Sequence, residues 1–236
     1  MKLNLLNITS TKYDADLVPH FVEHYKQFDI DEWHVILHRD ENVEPHEARK
    51  NFRSAYPSIK FYEWNDMFLS TEKIKLFNSI IKKLDGYILL ADIDELQIWP
   101  QEPKDMLRDQ PIVGGWLKDR TPMNNLYSKV TQDDSLFNQF PVSSTLSRDL
   151  FKMYTHKPCV FHKSYKLVNS HDLELYNNPV YYQDKNMIDI AHFRWTDTRL
   201  PKTEKRYTDY KEKNKQGVAL NWKESEKILN YLKVER

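Results

Sequence analysis

The chain has 236 residues, 40% hydrophobic and 30% charged, with 35 Lys+Arg balanced by 35 Asp+Glu. That length and composition belong to a globular protein, one domain by the usual size prior, and exclude a disordered segment. The even charge balance argues against a dedicated nucleic-acid binder, and no apolar run approaches the ~20 residues that span a bilayer. The single Cys159 cannot form an internal disulfide and fits a reducing compartment. The N-terminus, Met1 to Asn7, is too short in its apolar part for a signal peptide, so a cytoplasmic protein is expected. Peripheral contact with a membrane face stays open. The 14 Tyr, 11 Phe and 6 Trp serve either a core or the wall of a sugar-binding cleft.

Strand and helix patterns alternate through the first half. Lys2 to Ile8 reads as a strand. Leu17, Phe21, Tyr25 and Phe28 then share one helical face, with Asp16 placed to cap it. Trp33 to Leu37 is a second strand, and Pro45 to Ala55 a short helix opened by its proline. Ile59 to Trp64 is a third strand. Thr71 to Leu84 is a helix that turns Ile74, Phe77, Ile80 and Ile81 inward, with Ser70 as its expected cap. Gly86 opens an apolar run, Tyr87 to Ala91. Strands and helices alternating at this spacing predict βαβ units: an α/β fold with a mixed, mostly parallel sheet flanked by helices.

After Pro111 the pattern changes. Ile112 to Leu117 reads as a strand, with Gly114 and Gly115 permitting close backbone approach. From Asp119 to Asn186 helical periods are few and polar turn residues many, apart from short β-like pieces such as Lys157 to His162. A long irregular stretch of this kind is more often functional than structureless. Two charged segments, Thr203 to Lys215 and Trp222 to Val234, look helical. The division expected within one domain is a nucleotide-binding half, residues 1–118, and an acceptor-side half with the C-terminal helices, residues 119–236.

The most informative stretch is Tyr87 to Leu96, where a strand-length apolar run ends in Asp92, Asp94 and Glu95. Such a run suits a strand buried on both faces, and ligands of open α/β sheets bind outside the carboxyl ends of strands. Crowded carboxylates there repel one another unless a cation lies between them, and Mg²⁺ or Mn²⁺ prefers oxygen ligands. The spacing alone is weak, because Asp14/Asp16 and Asp29/Asp31 share it. Only Asp92/Asp94 follows a buried strand. A solvated turn with a helix-capping Asp is the bland alternative.

Of nine histidines, His20, His24, His34, His38 and His46 lie on or near ordinary elements. His192 ends another short apolar run, and His171 lies in the irregular half. A His joining a carboxylate at a metal suits Mn²⁺ better than Ca²⁺. A His bonded to backbone is the alternative. Arg194, Arg199, Lys202, Lys205 and Arg206 follow His192 and either neutralise a diphosphate or form a solvated helix face. Dinucleotide, P-loop, nucleophile-elbow and Cys-x-x-Cys signatures are missing from the sequence.

These residues together resemble the GT-A type glycosyltransferases, of the family 2-like group and close to the family 92-like branch. The likeness is carried by the opening strand, loop and helix (Leu5 to Phe28) and by Leu89 to Leu96, an apolar strand ending in Asp-x-Asp-Glu. It continues through the Lys-rich segment from Lys152 to His171, the His192-Phe193-Arg194-Trp195 segment and the downstream Lys202. The resemblance implies a nucleotide-sugar donor, usually UDP-linked, with Mn²⁺ or Mg²⁺ bridging its diphosphate. It implies that Asp92 contacts ribose or a metal water, that Asp94 binds the metal and that Glu95 orients the site. His192 would complete the metal shell, with His171 as its competitor, and Arg194 and Lys202 would meet the donor. Thr9 to Asp16 stands where relatives read the base. The acceptor would be a glycan, a lipid-linked or another hydroxyl. An inverting reaction needs a carboxylate base, for which Asp119 and then Glu174 are the candidates. The rivals are a metal-dependent nucleotidyltransferase or phosphohydrolase, and a glycan- or nucleotide-binding module without turnover.

Overall fold

A computed structural model describes residues 1–39, 45–108, 110–124, 127–153, 155–174, 187–215 and 223–234. The first half alternates as expected: β1 (Leu3–Ser10), α1 (Val18–Tyr25), β2 (Glu32–His38), α2 (His46–Ala55), β3 (Lys60–Trp64), α3 (Ser70–Ile81) and β4 (Tyr87–Leu90). β1 lies between β2 and β4, and β3 lies outside β2, all in parallel. Gly86 makes this closure possible. Its φ is +83°, and a Cβ there would run into the Lys2 carbonyl, which accepts the Tyr87 N–H at 2.9 Å.

Successive β1 residues point to opposite faces, and the core divides accordingly. Leu3 and Leu5 join Phe21, Trp33, Val35, Phe52 and Leu89 under α1 and α2. Leu6 and Ile8 join Ile36, Phe77, Ile80, Ile88 and Leu90 under α3.

The later elements are β5 (Glu95–Ile98), α4 (Pro103–Met106), β6 (Ile112–Thr121), α5 (Leu136–Gln139), β7 (Val142–Ser144), α6 (Leu146–Asp149), β8 (His156–His162), β9 (Met187–His192), α7 (Arg199–Lys215) and α8 (Lys223–Val234). The sheet runs β3-β2-β1-β4-β8-β6-β9-β5, with β7 beside β6. β8 is antiparallel to both β4 and β6, and β9 is parallel to β6. β6 and β9 therefore point the same way as β1 to β4, so six of the nine strands share one direction. The α/β fold with a mixed, mostly parallel sheet and flanking helices is the one observed. Gly115 sits where a Cβ would strike Cys159 and Ile190 on the neighbouring strands, the close approach its sequence position predicts.

Three local expectations are corrected. α1 begins after Leu17 without a side-chain cap, so Asp16 does not cap it. Ser70 lies inside α3, whose extended N-cap residue is Leu69, again without a side-chain bond. The stretch from Asp119 is less irregular than its composition suggests, because β6 to β8 are paired strands whose partners lie far away in sequence. Residues 175–186 and Trp222 lie outside the described residues.

Candidate active site

Because β1, β2, β3, β4, β6 and β9 run the same way, their carboxyl ends meet at one edge of the sheet. That edge carries Asp14 after β1, His38 ending β2, Asp66 after β3, Asp92 to Glu95 after β4, Asp119 near the end of β6 and His192 ending β9. A cavity of about 550 Å³ opens there, lined by Asp14, His38, Asp66, Asp92, Asp94, Glu95 and His192 among others. This is where open α/β sheets bind ligands.

The turn after β4 is held from several directions. Lys73 on α3 donates to both Asp92 oxygens at 2.8 and 2.9 Å. Lys157 on β8 donates to Glu95 Oε2 at 2.6 Å and lies 3.7 Å from Asp92 Oδ2. Glu95 Oε2 also accepts the Asp92 N–H at 3.1 Å. The Asp94 carbonyl accepts the Phe193 N–H at 2.7 Å, and Tyr25 Oη donates to the Glu95 carbonyl. Burial works against ionising Asp92, yet Lys157 and Lys73 outweigh it and hold its carboxyl below the usual range. Burial, with the Asp92 and Asp94 charges, pushes Glu95 up against the pull of Lys157. The Lys157 ammonium is likewise held above its usual range by Asp92 and Glu95, which overcome its burial.

The Asp94 side chain takes the other direction. Its Oδ2 lies 3.5 Å from His192 Nε2 and 3.5 Å from an Arg199 guanidinium nitrogen. His192 is buried and aligned by Asp119, whose Oδ1 lies 3.1 Å from Nδ1. Asp119 is itself fixed, accepting from the Ser147 N–H at 2.6 Å and from Ser147 Oγ at 2.8 Å. Burial disfavours the imidazolium, but Asp119 and Asp94 raise His192 to about 9. Asp94 is held well below its usual range against burial by His192, Arg199 and Lys202. Across the mouth, Lys202 on α7 pairs with Asp14 at 2.7 and 2.8 Å.

Asp92, Asp94, Glu95, Arg194, Lys202, His171 and His192 all line this cavity. Arg194 is buried with a guanidinium nitrogen against Met153 Sδ. His171 lies 2.8 Å through Nδ1 from the His156 carbonyl, and burial, foremost, lowers it to about 4, so its imidazole is neutral near pH 7. The structure does not bring Glu174 to the cavity: it is half-buried and pairs with Lys166 at 3.1 Å. Asp119 has both oxygens engaged by His192 and Ser147, which leaves neither expected base poised to take a proton from an acceptor hydroxyl.

A divalent cation fits part of the expected ligand set. Asp94 and His192 converge, and a carboxylate holding the far nitrogen of a ligating His is the usual supporting arrangement. Asp92 is already engaged, each of its oxygens accepting from the buried Lys73 ammonium. Among the described residues no three His, Cys, Asp or Glu side chains form a metal cage. The protein would supply two ligands and substrate oxygens the rest, as Mg²⁺ sites commonly do.

Sequence reasoning missed Lys73, Lys157, Asp14 and Ser147. Lys73 leaves a trace, since it shares the inward helical stripe of Phe77 and Ile80. Lys157 opens an otherwise apolar strand. Ser147 leaves none.

No family model and no curated protein matches the chain. Among solved structures, S. aureus TarS is 13% identical over 88% of this chain and 39% of its own, with a TM-score of 0.42. A TarS 1–349 structure in complex with UDP is 12% identical, covering 88% of this chain and 64% of that one, TM-score 0.43. A Pyrobaculum calidifontis mannosyltransferase in complex with GDP-Man and Mn²⁺ is 12% identical over 53% of this chain and 36% of its own, TM-score 0.34. The chain thus spans under two thirds of the length of each. Likeness this distant leaves the functional reading to the geometry of the site. Among the described residues no helix is long and apolar enough to cross a membrane.

Proposed function

We propose that the protein is a GT-A type glycosyltransferase that moves a sugar from a nucleoside-diphosphate donor, UDP-linked in the first instance, to a hydroxyl of a glycan, a lipid-linked acceptor or another acceptor. The observation that carries this reading is the Asp94–His192–Asp119 chain at the carboxyl ends of the parallel strands, with Arg199 and Lys202 beside it. One carboxylate and one oriented imidazole facing two cations suit a diphosphate better than a neutral sugar.

In this reading the donor diphosphate lies between Asp94 and α7. Arg199 and Lys202 turn from Asp94 and Asp14 to phosphate oxygens and stabilise the negative charge that grows as the anomeric bond breaks. Mn²⁺ or Mg²⁺ held by Asp94 and His192 would add charge to the leaving diphosphate when bound. Asp119 orients His192 and is not itself the base. Tyr13, His38 and Phe68 among the lining residues offer rings to the nucleoside half, and Leu117 and Met153 offer apolar surface to the acceptor.

A nucleotide-binding module without turnover is the second reading, favoured by the cations already seated on Asp92 and Asp94. A thermal-shift screen of nucleotide-sugars with and without Mn²⁺, repeated on Asp94→Ala, tests binding. Stabilisation of the wild type and not of the variant is expected; equal response sinks the site. Release of free UDP from UDP-sugars then separates enzyme from module.

A further inference from the structure

We infer that Asp92 is an internal strut rather than a ligand of metal or ribose, and that Lys73 and Lys157 are positioning residues that leave Asp94 as the single carboxylate of the turn available to a bound cation.

Asp92, Glu95, Lys73 and Lys157 form a group of two carboxylates and two ammonium ions. Lys73, Lys157 and Glu95 are 5%, 2% and 4% exposed. Both Asp92 oxygens accept from Lys73, and Glu95 Oε2 accepts from Lys157 and from the Asp92 N–H. A bare buried charge is costly, whereas one paired and hydrogen-bonded on all sides is tolerated. Moving Asp92 onto a metal would leave Lys73 buried without its carboxylate. Side chain 92, side chain 95, carbonyl 94 and carbonyl 95 anchor the turn, each held by a different element: α3, β8, the residue after β9 and α1. Side chain 92 also borders the cavity, but both its oxygens are turned to Lys73, whereas side chain 94 meets His192 and Arg199 at longer range.

The role of Asp94 rests on the proposed nucleotide-sugar reading; the pairing of Asp92 does not. The test titrates MnCl₂ into the wild type with UDP present, followed by the free Mn²⁺ electron paramagnetic resonance signal. Asp94→Asn is expected to weaken Mn²⁺ binding at least 30-fold and Asp92→Asn by less than about threefold. Equal losses overturn the strut. Lys157→Met is expected to weaken Mn²⁺–UDP binding and broaden the bound-Mn²⁺ spectrum, because Asp94 is no longer held in one place. An unchanged bound spectrum denies Lys157 its positioning role.

Because these variants can unfold, a second arm compares melting temperatures in the absence of nucleotide. Lys73→Met and Asp92→Leu are each expected to lower Tm, and the double variant to lower it less than the two losses combined. Strict additivity removes the Lys73–Asp92 pairing. If UDP and Mn²⁺ do not bind the wild type at all, the proposed function falls, and this arm still decides the strut.

Discussion

On one side of the turn that follows β4, Lys73 and Lys157 meet Asp92 and Glu95 in a group whose charges cancel through short ion pairs. On the other side, Asp94, His192, Asp119 and Arg199 form a group of similar size in which the Asp94 carboxylate lies 3.5 Å from both His192 and Arg199. Carboxylates one or two positions apart therefore have opposite fates. A carboxylate with short bonds to a buried ammonium is a structural part, since releasing it strands a charge. One flanked at longer range by groups that can move or lose a proton is able to exchange partners.

The largest expected effect breaks the closed group. Lys157→Met leaves Glu95 without its buried cation and Asp92 with Lys73 alone, and should cost about 3–5 kcal/mol, a drop in Tm of roughly 10 °C or more by differential scanning calorimetry. A drop under about 3 °C would mean that the pair is not the internal charge it is taken to be.

The open group should show itself through pH. His192 titrates at about 9 when folded against an ordinary 6.5. Its stabilisation is therefore fully present below pH 6.5 and is lost as pH rises towards 9, by at most about 3 kcal/mol. Urea unfolding at pH 6, 7.5 and 9 measures this loss, and Asp119→Asn should flatten it.

Asp94→Ala should reduce affinity for a UDP-sugar with Mn²⁺ by about 100-fold, close to 2.7 kcal/mol, as read by calorimetric titration. Asp119→Asn, which keeps the shape but removes the charge that aligns His192, should cost about 10–100-fold. If it costs as much as losing Asp94 outright, Asp119 touches substrate and is more than an orienting group. The smallest effect belongs to Glu174. As a half-exposed partner of Lys166 its replacement by Ala should change stability by less than about 0.5 kcal/mol and donor binding not at all. A lost turnover in Glu174→Ala would return it to the reaction.

The two groups were not equally legible in the sequence. Asp92, Asp94 and Glu95 stand together at the end of an apolar strand, so their place at a cleft follows from local pattern. Lys73 and Lys157 lie 19 and 65 positions from Asp92, one in a helix and one in a short β-like piece, with no local pattern that ties either to the acidic turn. Asp119 is legible as a carboxylate near a strand end, but its bond to His192 crosses from β6 to β9 and leaves no trace in the sequence. Asp14 lies in the Thr9 to Asp16 segment and in an Asp-x-Asp pair of no special spacing, and its partner Lys202 reaches it across 188 residues. Glu174 was chosen from chemistry alone, with no element to place it.

By itself the sequence determined the periodic part of the protein. Strands and helices up to β4, the glycine that closes β4 onto β1 and the acidic turn at a strand end all follow from spacing, since their causes act within a few residues. Tertiary structure decided which carboxylate is spent inside and which faces the cavity. That outcome depends on a lysine from α3, a lysine from β8 and a histidine from β9 arriving at one turn. The ionisation of each group depends on the burial and the charges that only this assembly supplies.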